Sequence, residues 1–225
     1  MLHGASKMDG SSTAHTRVKV CGITRIEDAL AAADFGAWAV GLVFHRKSPR
    51  FVSTNLAREI IKAVPAGVLK IGVFMNRTLD EIVDIDKSMG LDLVQLHGIS
   101  GQAAFPRIAP QRCIMAVSLK DENDLSRAVS CEARLLLVDR QRTPEGPKGG
   151  PVDQVLAASL AATRPFTLLA GALAPDNVAQ AVRRVRPWGV DVSSGLESAP
   201  GIKDRARIEA FFAEVRRADA EGGAS

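Results

Sequence analysis

The sequence predicts an α/β protein built as a single (β/α)8 TIM barrel with a parallel eight-stranded sheet. Short β-branched apolar runs alternate with longer amphipathic stretches, at roughly 20 to 30 residues per repeat. Several of these runs are apolar at consecutive positions, which is typical of parallel strands covered on both faces. Because 225 residues hold about eight such repeats, the length favours a closed barrel over a doubly wound open sheet.

Eight candidate strands can be counted along the chain. They are 18-VKVCG-22, 38-WAVGLVF-44, 68-VLKIGVF-74, 92-DLVQLH-97, 112-RCIMAVS-118, 134-RLLLVD-139, 166-FTLLAG-171 and 188-WGVDVSS-194. The amphipathic segments predicted as helices are 26–35, 54–64, 78–89, 101–108, 122–130, 152–163, 175–185 and 204–217. Ser53 or Thr54 can cap the second helix and Thr78 the third, while Pro175 suits a first helical position.

Composition places the chain among globular domains of ordinary type, with 46% hydrophobic and 24% charged residues. The formal net charge is +4, but Lys and Arg are scattered, so we expect a solvated surface that helps attract an anionic small-molecule substrate. No nucleic-acid partner is predicted. No membrane partner is predicted either, because no apolar run approaches the roughly 20 residues of a membrane span.

The chain is expected to divide into a disordered N-terminal extension over residues 1–16, the barrel over 17–218 and a flexible tail over 219–225. The first 16 residues are polar and lack the apolar core of a secretory signal. Three cysteines, at 21, 113 and 131, show neither an even count nor metal-ligand spacing. Free thiols and a cytoplasmic location are therefore predicted, with no metal site.

The carboxyl ends of the strands, where parallel barrels hold their active sites, carry the candidate catalytic residues. Cys21 ends the first strand, and Gly22 permits a tight turn there that leaves the thiol facing the barrel mouth. Nearby cations could make this thiol a base; the alternative is a small buried hydrophobic residue. Asp139 ends the sixth strand, where burial would favour the protonated form that an acid catalyst needs. The alternative for Asp139 is a cap of the following loop.

Two further strand-end residues are candidates for binding substrate. Arg50 lies in 45-HRKSPRFV-52, a loop long enough to reach over the mouth, where its guanidinium could fork onto a carboxylate. His97 ends the fourth strand in 95-QLHG-98. The alternatives are a solvated loop charge for Arg50 and a hydrogen-bonded structural imidazole for His97.

Two late loops are suited to phosphate. Gly171 lies in 169-LAGALAPDNV-178, shortly before a predicted helix, and small residues follow the eighth strand in 190-VDVSSGLE-197. Backbone N–H groups of such turns can cradle a dianion, and the loops after strands seven and eight are the usual phosphate position in these barrels. The alternative is that both are ordinary barrel turns.

From Lys19 to about Phe212, the chain resembles the phosphoribosylanthranilate isomerase family. The resemblance rests on a set of motifs in the family's order, which together are highly specific. These are 19-KVCGIT-24, 48-SPRFV-52, 72-GVFMN-76, 95-QLHG-98, 138-VD-139, 169-LAGAL-173 with Pro175, Asn177 and Val178, and 190-VDVSSGLE-197.

The resemblance implies an Amadori rearrangement of N-(5-phosphoribosyl)anthranilate in tryptophan biosynthesis, with Cys21 as general base and Asp139 as general acid. It further implies that Arg50 contacts the anthranilate, that Asp191 lies near the ribose, and that no cofactor is used. The implied phosphate cradle consists of Gly171, Ala172, Ser193, Ser194 and Gly195. We expect a monomer or a homodimer.

Two segments depart from the family pattern. The loop after the sixth strand reads 146-GPKGGPVDQV-155, where only Gly149 and Gly150 match the usual Gly-Gly-Thr/Ser-Gly segment. Ala172 stands at the second glycine of the usual Leu-Ala-Gly-Gly-Leu, which costs about 1 kcal/mol or more if its φ is positive. The alternatives are another phosphate-binding barrel, of histidine or indole-glycerol-phosphate metabolism, and a sugar-phosphate-binding barrel without turnover.

Overall fold

A computed structural model of the chain describes residues 15–99, 101–140, 142–143, 146–147 and 151–222. Eight parallel strands, here β1 to β8, close into a barrel in the order β1-β8-β7-β6-β5-β4-β3-β2. They are Arg17–Cys21, Ala39–Val43, Leu69–Met75, Leu93–His97, Cys113–Val117, Leu135–Val138, Thr167–Leu169 and Gly189–Val192. Each of these overlaps one of the predicted strands, so the predicted TIM barrel is confirmed.

Eight α-helices, α1 to α8, follow the strands in the described part of the chain. They are Ile26–Asp34, Thr54–Ala63, Leu79–Met89, Gly101–Ala104, Glu122–Val129, Gln154–Thr163, Val178–Val185 and Arg205–Gly222. None of these is long and apolar enough to cross a membrane. Two short antiparallel pairs, Arg142–Thr143 with Gly146–Pro147 and Glu197–Ala199 with Ile202–Lys203, lie outside the barrel.

The helices agree with the prediction to within two residues at each end, except at the end of the fourth, the start of the seventh and the end of the eighth. The fourth helix ends at Ala104 rather than at residue 108. The seventh begins at Val178, so the prediction that Pro175 is its first residue is wrong. The cause is Asn177, whose Oδ1 accepts from Ala174 N at 2.9 Å and whose Nδ2 donates to Ala172 O at 3.1 Å. These bonds hold residues 172–177 as a turn.

The two ends of the described chain are joined to each other. Thr16 donates from its backbone N and its Oγ1 to the two carboxylate oxygens of Asp219, at 2.8 and 2.6 Å. Residues 219–222 belong to α8, so the prediction that a tail begins at 219 is wrong for them. The packing of Ala218 against the barrel extends the helix to this point. Residues 1–14 of the predicted extension and 223–225 lie outside the described residues.

The inside of the barrel is apolar at the amino-terminal ends of the strands. The residues that fill it are Ala39, Leu69, Ile71, Leu93, Ile114, Leu135, Leu137, Leu168 and Ala170. Trp38, Phe166 and Trp188, each just before a strand, close this end, with ring centroids 4.9 Å apart for the two tryptophans. Because the apolar filling occupies this end, polar side chains are left to the carboxyl end.

Helix capping follows the sequence prediction. Ser53 Oγ accepts from Leu56 N at the start of α2. Thr78 and Glu81 form a reciprocal capping box at the start of α3. Both caps satisfy backbone N–H groups that have no partner within the helix.

Replacing Thr78 by Ala should lower the free energy of unfolding by about 1 kcal/mol, because the N3 amide of α3 loses its acceptor. Urea unfolding measures the change. Thr54→Ala, at the exposed first residue of α2, is the control and should change stability by less than about 0.5 kcal/mol. Equal losses in both variants would contradict the capping role.

Candidate active site

A cavity of about 350 Å³ opens at the carboxyl ends of the strands. The predicted site residues that line it are Cys21, Arg50, His97, Asp139, Gly171, Ala172, Asp191, Ser193 and Ser194. Gly195 is not among its lining residues. Residues that are far apart in the sequence are thus brought to one site, as expected for a parallel barrel.

Cys21 and Asp139 reach the cavity from different strands and are almost fully buried. Cys21 is the last residue of β1, and Asp139 follows the last residue of β6. Their exposures are 8% and 4%. Asp139 Oδ1 accepts a hydrogen bond from Arg140 N at 2.8 Å, so the carboxyl group also organises the loop that it precedes.

Lys19 lies beside Cys21 and was not singled out from the sequence. Residues two apart on a strand point to the same face, so Lys19 and Cys21 both face the barrel interior. Lys19 is completely buried and donates from Nζ to Asp191 Oδ1 at 2.8 Å. Asp191 is its neighbour in register on β8. Burial would lower the pKa of Lys19, but attraction by Asp191 and Cys21 outweighs it and raises that pKa, so Lys19 is charged.

Burial raises the pKa of the Cys21 thiol, and Asp191 raises it further. Lys19, through its charge and a hydrogen bond, and Lys203 act in the opposite direction. The cations that a thiolate at Cys21 was expected to need are therefore present, but the pKa of the thiol is still raised. They offset the burial only in part, and the thiolate is therefore a stronger base than that of an exposed cysteine.

A second buried network lies next to Cys21. Arg50 forks onto Glu197, with Nε to Oε1 at 2.7 Å and Nη2 to Oε2 at 2.6 Å. Lys203 Nζ also donates to Glu197 Oε1, at 2.9 Å, and to Ser193 O at 3.1 Å. Burial would raise the pKa of Glu197, but Arg50 and Lys203 outweigh it, so its pKa is lowered and it is a carboxylate.

Arg50 was expected to fork onto a substrate carboxylate, and in this structure Glu197 occupies two of its three nitrogens. The Nη1 nitrogen is not used by Glu197. Arg50 is thus fixed at the cavity wall by a protein carboxylate and can offer the opposite edge of its guanidinium to a ligand.

Two glycines make room for these groups. A Cβ at Gly22, which has φ +73°, would lie 2.5 Å from Arg50 Cδ and 2.9 Å from Ser193 Oγ. A Cβ at Gly41, opposite Cys21 in register, would lie 2.9 Å from Cys21 Sγ and 3.2 Å from Lys19 Nζ. Glycine at both positions lets the charged and nucleophilic side chains converge.

The two candidate phosphate loops lie together on one side of the cavity. Gly171 and Ala172 both have left-handed backbone, with φ values of 98° and 59°. Gly195 packs so closely on this loop that a Cβ would overlap the Leu173 carbonyl. We therefore assign Gly195 to the contact between the two loops, whereas Gly171, Ala172, Ser193 and Ser194 border the cavity itself.

His97 lines the cavity together with Gln95, a second residue that the sequence argument did not single out. Gln95 Nε2 lies 2.8 Å from His97 Nε2. An amide nitrogen is only a donor, so His97 Nε2 accepts and the proton of a neutral imidazole is on Nδ1. His97 is thus both a cavity residue and a hydrogen-bonded imidazole.

A closed parallel barrel with a polar cavity at the carboxyl ends of its strands is the arrangement of the (β/α)8-barrel enzymes. Residues 18–214 match the family described as N-(5'phosphoribosyl)anthranilate (PRA) isomerase. The chain belongs to this family.

Individual relatives agree with this assignment. The N-(5'-phosphoribosyl)anthranilate isomerase of Syntrophus aciditrophicus is 41% identical over 203 residues, covering 90% of this chain and 88% of the relative. The crystal structure of phosphoribosyl anthranilate isomerase from Thermotoga maritima superimposes with a TM-score of 0.80 at 38% identity, covering 90% of this chain and 99% of that one. Another solved isomerase holds reduced 1-(o-carboxyphenylamino)-1-deoxyribulose 5-phosphate, with a TM-score of 0.76, 36% identity, and coverage of 90% and 99%.

Ala172→Gly should raise the free energy of unfolding by about 1 kcal/mol, because a side chain at positive φ is strained. Urea unfolding measures the gain. Ala213→Gly, at an exposed position inside α8, is the control and should instead lose about 1 kcal/mol. A loss of stability in both variants would show that position 172 carries no strain.

Proposed function

We propose that this cavity rearranges N-(5-phosphoribosyl)anthranilate with Cys21 as general base and Asp139 as general acid. Family membership makes the activity of the chain the isomerisation of this compound in tryptophan biosynthesis. The observation that carries the assignment of roles is that a thiol from β1 and a carboxyl group from β6 line the same cavity.

The first step opens the furanose ring. Asp139 gives its proton to the ring oxygen as the bond from that oxygen to C1 breaks, and the anthranilate nitrogen supplies the electron pair that forms the C=N bond. The product is a protonated Schiff base with a free hydroxyl at C4. Asp139 is left as a carboxylate.

The second step moves a proton from C2. The Cys21 thiolate takes it, the C–H electrons form a C1=C2 bond, and the C=N electrons return to nitrogen, giving an enolamine. The proton on Cys21 then passes to C1 and the Asp139 carboxylate takes the C2 hydroxyl proton, which gives the ketone and restores both groups. Protons balance over the whole reaction, and the conjugated nitrogen of the substrate serves as the electron sink.

The charges around Cys21 support its role as base. Lys19, Lys203 and Arg50 carry three positive charges, whereas Asp191 and Glu197 carry two negative ones. A thiolate at Cys21 completes the balance of this group. The attraction between the cations and the thiolate offsets in part the burial that raises the pKa of the thiol.

The remaining residues are proposed to hold the substrate against the two catalysts. The phosphate would lie at Gly171, Ala172, Ser193 and Ser194, and the adjoining Gly195 would hold the two phosphate loops together. The free edge of Arg50 would face the anthranilate carboxylate. His97 and Asp191 would face the sugar chain between them. Fixing the substrate at both ends places its reacting carbons between base and acid.

Location and assembly are part of the proposal. We infer a cytoplasmic protein, on the basis of its three free cysteines and its place in amino-acid biosynthesis. It would be a monomer or a homodimer; one solved relative is described as monomers generated from the dimeric isomerase of Thermotoga maritima.

Cys21→Ala and Asp139→Asn should each lower turnover by at least about a hundredfold, because each removes a positioned proton-transfer group. The loss of phosphoribosylanthranilate fluorescence measures the rate. Cys131→Ala, which alters a half-buried thiol outside the cavity, is the control and should retain wild-type turnover. Near-normal turnover in either site variant would remove that residue from the mechanism. Binding of substrate without turnover by the wild-type protein would favour a binding barrel instead.

The base must be deprotonated, and burial raises the pKa of Cys21. We therefore expect kcat/KM to keep rising with pH beyond the ordinary range of a cysteine thiol, near 8.5, because the active fraction grows until the raised pKa is passed. A pH–rate profile of the purified protein tests this. A rate that is flat above neutral pH would contradict it.

Replacing Lys19 by Met and Asp191 by Asn together removes the ion pair without leaving a lone buried charge. The midpoint of the profile should then move to still higher pH, because Lys19 acts on the thiol more strongly than Asp191 does. Lys62→Met, at an exposed position of α2, is the control and should leave the midpoint unchanged.

A further inference from the structure

Three buried side-chain polar atoms in the described part of the chain lack a hydrogen-bond partner. They are Trp38 Nε1, Gln95 Oε1 and Arg140 Nε. An unpaired buried polar atom costs about 1 to 3 kcal/mol, so each needs an explanation. Trp38 belongs to the aromatic closure at the amino-terminal end of the barrel, whereas Gln95 and Arg140 both line the active-site cavity.

Gln95 presents an acceptor to the cavity. It lies on β4 and is only 1% exposed, and its Nε2 is engaged with His97 Nε2 at 2.8 Å. In this orientation the amide N–H donates to the imidazole nitrogen. The Oε1 atom is left to accept a hydrogen bond from a ligand.

Arg140 presents a donor on another part of the wall. It follows Asp139 at the end of β6, and its stem lies along the β7 loop, with its Cγ 3.5 Å from the position of a Cβ at Gly171. A guanidinium is always charged and can only donate. An unpaired Nε on a stem beside Gly171 is suited to donate to an anionic oxygen at that end of the cavity.

We propose that Gln95 and Arg140 determine ligand specificity, with Gln95 Oε1 accepting from a hydroxyl of the sugar chain and Arg140 Nε donating to the phosphate. The inference rests on the proposed function for the identity of the ligand. The ligand that it requires is a polyhydroxylated phosphate ester, because such a compound carries both a hydroxyl donor and a dianionic acceptor.

This role has a thermodynamic signature that a structural role lacks. Removing an unpaired buried atom takes away a group that destabilises the free protein, so stability should be unchanged or higher. Removing the same atom from the complex breaks a hydrogen bond, so affinity should fall. Replacing a residue that only supports the fold would instead lower the stability of the free protein and leave the affinity for the ligand unchanged.

The variants Gln95→Met and Arg140→Met test the inference. We expect the affinity for ribose 5-phosphate, measured by calorimetry, to fall about tenfold or more in each. The Tm of the free protein should stay the same or rise in Arg140→Met; Gln95→Met also removes the Nε2 contact with His97, so the Tm criterion applies to Arg140→Met alone. Inorganic phosphate separates the two residues, because its affinity should fall in Arg140→Met and not in Gln95→Met. For turnover of phosphoribosylanthranilate, KM should rise about tenfold with kcat within about threefold, since both contacts exist before and during reaction.

Exposed residues provide matched controls. Arg58→Met on α2 removes the same charge, and Gln180→Met on α7 removes the same amide, and neither should change affinity or KM. Unchanged affinity and KM in both site variants, or a wild-type protein that binds neither probe, would overturn the inference. A wild-type protein that binds ribose 5-phosphate through both residues but does not turn over phosphoribosylanthranilate would refute the isomerase assignment and leave this inference standing.

Discussion

The buried ion pair between Lys19 and Asp191 is the constraint on which the site depends. A lysine inside a barrel would be strongly destabilising unless a carboxylate compensated its charge. The register between β1 and β8 places Asp191 opposite Lys19, so the same strand pairing that closes the barrel also completes the ion pair. Closing the barrel therefore also creates the electrostatic environment of Cys21.

The second network shows why the cavity can hold an arginine rigidly. Glu197 is hydrogen-bonded to both Arg50 and Lys203, and it lies just after the β8 loop that borders the candidate phosphate site. A guanidinium already fixed by a protein carboxylate loses little rotamer freedom when a ligand arrives. The cost is that one edge of Arg50 is no longer available to substrate.

The fold was predictable because strand period and helix amphipathicity are local properties of the sequence. The eight apolar runs marked the strands, and their carboxyl ends located Cys21, Asp139, His97 and Asp191 at one rim. The start of α7 was predicted too early because the Asn177 side chain bonds back to its own loop. The sequence alone does not decide whether residues 175–177 form a helical turn or this side-chain-bonded turn.

The partners of the site residues were harder to foresee. A lysine in a strand usually indicates an exposed position, and only its spacing of two from Cys21 signalled that Lys19 faces inward. Glu197 lay within a recognised motif, but its pairing with Arg50 joins residues 147 apart in the chain. Gln95 likewise stood two residues before His97 on the same face of β4. The pairings of Lys19 with Asp191 and of Arg50 with Glu197 depend on closure of the barrel and have no local sequence signature.

The bonds between Thr16 and Asp219 bear on how the molecule is assembled. They connect the segment before the first strand to the last helix, across 203 positions. During synthesis, β1 would emerge long before either β8 or α8 exists, so the ring stays open until nearly all of the polypeptide has left the ribosome. The two bonds also hold Thr16 and Asp219, near the two ends of the described residues, against each other. A circularly permuted chain joined by a short linker at this point could be cut elsewhere and still close the same barrel.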